Sequence, residues 1–324
     1  MESAGLFDLQ VNGFAGIDFN DEALTAQALD HALEAMLATG VTQCLPTLIT
    51  ATEEELRARF AALDAAVATS RLGPAMVPGY HLEGPFLNPL PGFCGCHPAA
   101  AMTPPDIGMV ERLMAPLRRP IRLLTLAAEL PGAGAFIAWA ATQGIVVSIG
   151  HSDAGDAVVE KAAAAGARMS THLGNGLPQM LHKLNNPIMA QLAEDRLSAG
   201  FIADGIHLPI PALRAMIRAK GPGRAILVTD AVAAAGALPG RYGFAGMTIV
   251  GGSDGSARTP EGALAGSALT LDRAVRNVVS WGITDAPGAI AMAASVPAQL
   301  LGLPARGWVT WASDLAVASS GLGP

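Results

Sequence analysis

Apolar positions along the chain alternate between two patterns. Short runs rich in Val, Ile and Leu are followed by longer Ala-rich stretches whose apolar residues recur at helical spacing, as in repeated strand–helix units. The first pattern predicts strands in VTQCLP ending near Pro46, MVPGYHLE ending at Glu83, IRLLTLA from Ile121 and IVVSIGH ending at His151. Three more follow in ARMSTH ending at His172, AGFIAD ending at Asp204 and AILVTD ending at Asp230. The second pattern predicts helices from Glu22 to Thr39, Thr52 to Thr69, Ala133 to Gln143, Gly155 to Ala165, Pro211 to Ala219 and Ser267 to Trp281. Thr52 with Glu55 forms a capping box, and Pro211 suits a first helical turn. About seven or eight such units in 324 residues favour a closed (β/α)8 TIM-like barrel over an open doubly wound sheet. No GxGxxG follows the first strand and no GxxxxGK[ST] occurs, so a nucleotide-binding reading loses its main support. The Gly-rich segment from Arg241 to Glu261 reads as an inserted hairpin.

Composition narrows the class. Apolar residues make up 51% and charged residues 15%, enough to bury a large core and too apolar for disorder. Mean hydropathy is +0.39, yet Gly, Pro and polar groups interrupt every apolar stretch before about 18 residues, so no transmembrane helix is expected. The start, MESAGLFDLQ, has no basic flank before an apolar run and does not read as an export signal. A net charge of -7 with scattered basic residues leaves no face for a phosphate backbone, which argues against nucleic acid. Cys44, Cys94 and Cys96 are an odd number and fit the reduced thiols of a cytoplasmic protein; Cys94 and Cys96 lack the second pair of a tetrathiolate site.

The chemistry collects at strand ends. Glu83, His151, His172, His207 and Asp230 all fall at or just after predicted strands, and a barrel brings those ends to one face. Glu83, His151 and His172 offer one carboxylate and two imidazoles, a three-ligand set that suits a divalent metal and leaves a position for water. Such a metal lowers the pKa of its water towards about 7. Asp230 is placed to take that proton and return it to a leaving group, or else to cap the following helix. His31, in the first helix, is expected to face solvent, and LAGS at Leu264 to Ser267 reads as a helix entry capped by Ser267.

Eight segments occur in order over nearly the whole chain: DLQVNG at Asp8, HLEGPFLNP at His81, GHSDA at Gly150, THLGNG at Thr171, ADGIHLP at Ala203, LVTDA at Leu227, LAGSALT at Leu264 and SVPAQLLGL at Ser295. In this combination the chain resembles the amidohydrolase superfamily and, within it, the N-acetylglucosamine-6-phosphate deacetylase family. The resemblance implies a metal-dependent amidohydrolase barrel with Glu83, His151 and His172 as metal ligands and Asp230 as general base and acid. Many superfamily members carry an HxH pair in the first strand, where this chain has Gln10 and Asn12. Neutral amides are poor ligands for a borderline cation, so one divalent metal per chain is implied, zinc first with iron or manganese as alternatives. Gln10 is left to orient the attacking water. The resemblance further implies a substrate shell of His97, Asn175, Gly176 and His207, with Leu264, Ala265 and Gly266 from LAGS.

Lys183 is the basic residue that would reach a substrate phosphate from the neighbouring subunit of a homodimer; its bland alternative is a solvated loop charge. The loop LNPLPGFCGCHP lacks lysines often found in the family, and Gly174 and Gly176 stand where bulkier residues are common. Only seven residues precede Asp8, while GWVTWASDLAVAS from Gly307 resembles returning strands of a small β-sandwich, so half of that sandwich is expected to lack its partner. The expected domains are a barrel over 1–306 and partial sandwich strands over 307–324. The implied reaction is hydrolysis of N-acetylglucosamine 6-phosphate to glucosamine 6-phosphate and acetate. The missing lysines keep open another N-acyl substrate, either an unphosphorylated acetamido sugar or an N-acyl amino acid. A non-catalytic metal-binding barrel is the third reading.

Overall fold

The computed structural model describes residues 1–323. From the N-terminus, β1 (Glu2–Ala4) leads into β2 (Leu6–Val11), a short hairpin of β3 (Gly13–Phe14) and β4 (Ile17–Asp18), and then β5 (Val41–Ile49). The series continues with β6 (Tyr80–Glu83), β7 (Ile121–Leu126), β8 (Val146–Ile149), β9 (Ala167–Ser170), β10 (Ser198–Ile202) and β11 (Ala225–Val228). Strand β2 and strands β5 to β11 form one eight-stranded sheet in chain order, every pairing parallel. Helices on the outside and side chains on the inside cover both faces, so β2 and β5 are buried along their whole length, as parallel barrel strands must be.

The seam between the first and last strands closes at the end that matters for chemistry. Val11 bridges Ala231 in parallel, Asp230 N donates to Gln10 O at 2.9 Å and Asn12 N donates to Ala231 O at 2.7 Å. Below them the buried Asp8 carboxylate accepts from the Thr229 hydroxyl at 2.5 Å and the Thr229 amide at 3.2 Å. Burial pushes Asp8 up to about 7 against those hydrogen bonds, so this staple costs solvation and fixes the register of β2 on β11.

Each helix expected between strands is present. The first begins at Ala26 rather than Glu22, because Thr25 caps it by accepting from Ala28 N. The Thr52–Glu55 capping box opens Glu53–Thr69, and Pro211 sits in the first turn of Ile210–Lys220. Helices Ile107–Met114, Pro187–Ala193, Ala286–Ala293 and Ser295–Leu300 lie outside the periodic stretches read from the sequence. His31 is exposed.

The Gly-rich insertion is a four-stranded antiparallel meander of β12 (Gly240–Phe244), β13 (Met247–Gly251), β14 (Ser256–Arg258) and β15 (Leu264–Ser267). LAGS is therefore a strand, and the following helix starts at Leu271 with Thr270 at its N-cap. Ser267 instead binds the barrel, donating its hydroxyl to Thr229 O at 2.6 Å. Val232, Phe244, Ile249, Ala257 and Ala265 form a small second core that seats this meander on the barrel rim. Strands β16 (Trp308–Trp311) and β17 (Val317–Gly321) join β1 in a three-stranded sheet, where Glu2 pairs with Thr310. Among the described residues no helix is long and apolar enough to cross a membrane.

Candidate active site

Three of the candidate residues have a backbone that side-chain-bearing residues rarely adopt. His151, His172 and Asp230 have φ of 52°, 26° and 50°, the left-handed region that costs an L-residue about 1–2 kcal/mol. Each is the second residue past the end of its strand, β8, β9 or β11, where the chain turns off the barrel mouth and aims the side chain inwards. Strain of this kind persists only where surrounding structure holds it, and such places concentrate at functional sites.

The side chains converge. Glu83 Oε1 lies 3.1 Å from His172 Nε2 and 3.5 Å from His151 Nε2, and the two imidazole nitrogens are 3.2 Å apart. Ligand atoms about 2.0–2.1 Å from a tetrahedral cation stand about 3.3–3.4 Å from one another, so this triangle fits a divalent metal. His151 Nδ1 donates to the Phe93 carbonyl at 2.6 Å, which fixes the tautomer whose Nε2 lone pair faces the triangle. His172 Nδ1 is buried without a hydrogen-bond partner. A looser set, Glu83, His97 and His151, also brings its ligand atoms within 4.8 Å of one another. His97 Nε2 is 3.9 Å from Glu83 Oε2 and its Nδ1 shares a hydrogen bond with Thr50, so the triangle with His172 is the tighter fit.

Electrostatics agree with this placement. Burial alone would raise the Glu83 carboxyl, but the His151 and His172 imidazoles beside it outweigh burial and hold Glu83 well below its ordinary value. For His172 burial acts downwards and the Glu83 hydrogen bond prevails, raising the imidazole. His97 is pushed down to about 3, by burial first and then by the neighbouring His151. Asp230 is raised to about 6 by burial and by repulsion from Glu83.

Gln10, expected to orient the attacking water, is held by protein groups at the same site. Its Nε2 donates to Glu83 Oε1 at 3.1 Å and to Asp230 Oδ1 at 3.2 Å, so it spans the two carboxylates. Asn12 Nδ2 donates to the same Asp230 oxygen at 2.8 Å. These groups open into a cleft of about 480 Å³, whose walls include His97, Asn175, Gly176, His207, Leu264 and Gly266. That size suits a small-molecule ligand, for which about 300–1,000 Å³ is usual. Ala265 points away into the second core. Gly176 is held against the site, since a Cβ there would stand 2.6 Å from His151 Nδ1.

Lys183 is exposed on the loop beyond Gly176 and does not line the cleft; among the described residues of the cleft wall none is Lys or Arg. A larger hollow of about 640 Å³ beside Asp18 and Arg59 shares no residue with this cleft.

Two participants escape a reading of sequence alone. Asp204 Oδ2 binds His207 Nδ1 at 2.5 Å while its Oδ1 accepts from the amides of Ile206 and His207, which orients that imidazole. The His207 contact holds Asp204 below its ordinary value in spite of burial. Asp204 ends a predicted strand and could have been noticed there. Glu129 lies beyond the end of β7 and reads as an ordinary surface carboxylate.

A closed parallel barrel with a carboxylate, two imidazoles and an aspartate converging at its C-terminal mouth defines a metal-dependent amide hydrolase of the amidohydrolase type. No protein-family model matches the chain. N-acetylgalactosamine-6-phosphate deacetylase of Escherichia coli O157:H7 is 36% identical over 298 residues, covering 91% of this chain and 77% of its own length. Human N-acetylglucosamine-6-phosphate deacetylase is 35% identical over 314 residues, covering 92% and 74%. A mutant of N-acetyl-D-glucosamine-6-phosphate deacetylase from Mycobacterium smegmatis, solved with N-acetyl-D-glucosamine-6-phosphate, superposes with a TM-score of 0.89 at 29% identity, over 99% of this chain and 85% of that one. The chain belongs to the N-acetylglucosamine-6-phosphate deacetylase family of the amidohydrolase superfamily.

Proposed function

We propose that this protein removes the acetyl group of N-acetylglucosamine 6-phosphate, giving glucosamine 6-phosphate and acetate. The observation that carries the reading is the spanning of Glu83 and Asp230 by Gln10, which sets a metal-binding triangle and a free carboxylate side by side in one cleft. We assign Glu83 Oε1, His151 Nε2 and His172 Nε2 as the ligands of one divalent cation per chain, zinc being the borderline metal that best suits this mixed set. Such a cation, when bound, activates water and polarises the acetyl carbonyl.

The remaining steps belong to the protein. Asp230, held on one oxygen by Asn12 and Gln10, keeps its other oxygen to take a proton from the attacking water. The new bond joins the water oxygen to the acetyl carbon, the carbon–nitrogen bond breaks, and Asp230 returns the proton to the departing amine. His207, braced by Asp204, presents its other nitrogen to the carbonyl or the sugar. His97, Asn175, the Gly176 amide and the Leu264–Gly266 strand complete the substrate wall.

A phosphate needs positive charge, which the cleft wall lacks. We infer that Lys183 supplies it across a two-fold axis, making the active form a homodimer. Exposed Met180, Leu184 and Met189 around Lys183 favour a buried partner face there. Free Cys44, Cys94 and Cys96 support a reducing, cytoplasmic setting. A second reading, the C4-epimeric N-acetylgalactosamine 6-phosphate, is favoured by the 36% identical relative that bears that name. The test is acetate release from both 6-phosphates and from the unphosphorylated acetamido sugar. Turnover of N-acetylglucosamine 6-phosphate above the other two supports the proposal; preference for the epimer, or indifference to phosphate, replaces it.

A further inference from the structure

Glu129, which follows β7, pairs with no Arg or Lys among the described residues, yet its carboxylate accepts three hydrogen bonds. Oε1 takes one from Asn88 Nδ2 at 2.8 Å and one from the Asp153 amide at 2.7 Å, and Oε2 takes one from the Ser152 hydroxyl at 2.5 Å. The donors come from two different loops. Ser152 and Asp153 directly follow His151, the residue with φ of 52°. Asn88 opens the loop that carries Phe93, whose carbonyl orients His151 Nδ1, and His97 of the cleft wall. The loops also meet each other, since Asn88 N donates to His151 O at 3.1 Å. Ser152 and Asn88 are buried, so their polar groups depend on these partners.

We propose that Glu129 is a positioning residue that clamps the His151 turn to the loop of Asn88, Phe93 and His97, and so fixes His151 Nε2 for metal binding. Strain of this kind persists only where the surrounding structure holds it, and Glu129 ties the two residues that follow His151 to the loop of Asn88. It touches neither cation nor sugar. Its effect passes through His151, in the way that outer partners of metal ligands generally set affinity. The inference rests on the assignment of His151 as a metal ligand.

The experiment measures the rate at which zinc leaves the loaded protein for an excess of a chromophoric chelator, with circular dichroism and melting temperature recorded for each variant. Glu129→Ala should release zinc about 10- to 100-fold faster than wild type, while Glu129→Gln should stay within about threefold. Glutamine can rescue because its Oε1 still accepts from Asn88 and Asp153, which keeps two of the three bonds. Ser152→Ala, which removes one of the three bonds, should fall between them and decides the matter if Glu129→Ala does not fold. Release at the wild-type rate from Glu129→Ala, or from Ser152→Ala in that case, overturns the proposal even if the melting temperature falls. Equal acceleration in Glu129→Gln also overturns it, because charge rather than geometry would then be at work. A wild-type protein that retains no metal overturns the underlying ligand assignment instead.

Discussion

His151 and His172, 21 residues apart and just past the ends of neighbouring strands, bring their Nε2 atoms to 3.2 Å from each other, with Glu83 Oε1 within 3.5 Å of both. With the His151 Nε2 lone pair facing inwards, the His172 Nε2 beside it must either donate its own proton or share a cation with it. A proton shared with Glu83 would serve, and a divalent cation serves better because it satisfies all three donors at once. Each histidine reaches this position by turning left-handed off its strand.

Asp230→Asn preserves shape and hydrogen-bonding capacity but cannot carry a proton. It should keep metal and fold while kcat drops about 10²- to 10⁴-fold, the usual contribution of a general acid and base. Steady-state kinetics alongside elemental analysis checks this. Activity within a few-fold of wild type at normal metal content would make Asp230 a structural cap.

Gly176→Ala places a methyl group 2.6 Å from His151 Nδ1 at a φ of +61°. The left-handed backbone alone costs an alanine about 1–2 kcal/mol, and the contact competes with the Phe93 carbonyl for His151. Thermal unfolding and metal content should both fall. Unchanged values for both would mean that the loop after Gly174 shifts without disturbing His151.

Much of this was legible in the sequence. Strand ends gave Glu83, His151, His172 and Asp230, because a barrel converts position along each strand into position at one mouth. Glu129 was not legible: its partners are 41, 24 and 23 residues away, and nothing in TLAAEL distinguishes it from a solvated carboxylate. Nor was the task of Gln10, which depends on β2 closing against β11 beside β5 and β6. The late helices at Ala286–Ala293 and Ser295–Leu300 are apolar on most faces, so no helical stripe marks them.

Lys183→Ala should raise KM for the phosphorylated sugar about 10- to 100-fold, as expected for losing one charged hydrogen bond, and leave the unphosphorylated analogue almost unchanged. Sedimentation should give a dimer. Equal effects on both sugars, or a fully active monomer, would remove Lys183 from the site.

Lys220 is buried, donating to Gln191 O and Glu194 O at 2.8 Å each, and burial lowers it to about 8. Between pH 8 and the unfolded value near 10.4 the unfolded chain binds more protons than the folded one, so this residue makes stability rise with pH across that window. The rise is at most about 3 kcal/mol. Denaturant titrations of wild type and Lys220→Met at pH 7.5 and 10 compare the two; the wild type should gain relative to the variant at the higher pH. A constant difference would show that the ammonium is as well solvated by the two carbonyls as by water.

The central claim is that Glu83, His151 and His172 hold the one metal on which turnover depends. Elemental analysis of wild type and Glu83→Ala, with acetate release measured on the same samples, tests it most directly. One divalent metal per wild-type chain, with metal and activity lost together in the variant, is the expected result. Two tightly held metals per chain, or wild-type metal content in Glu83→Ala, would contradict it.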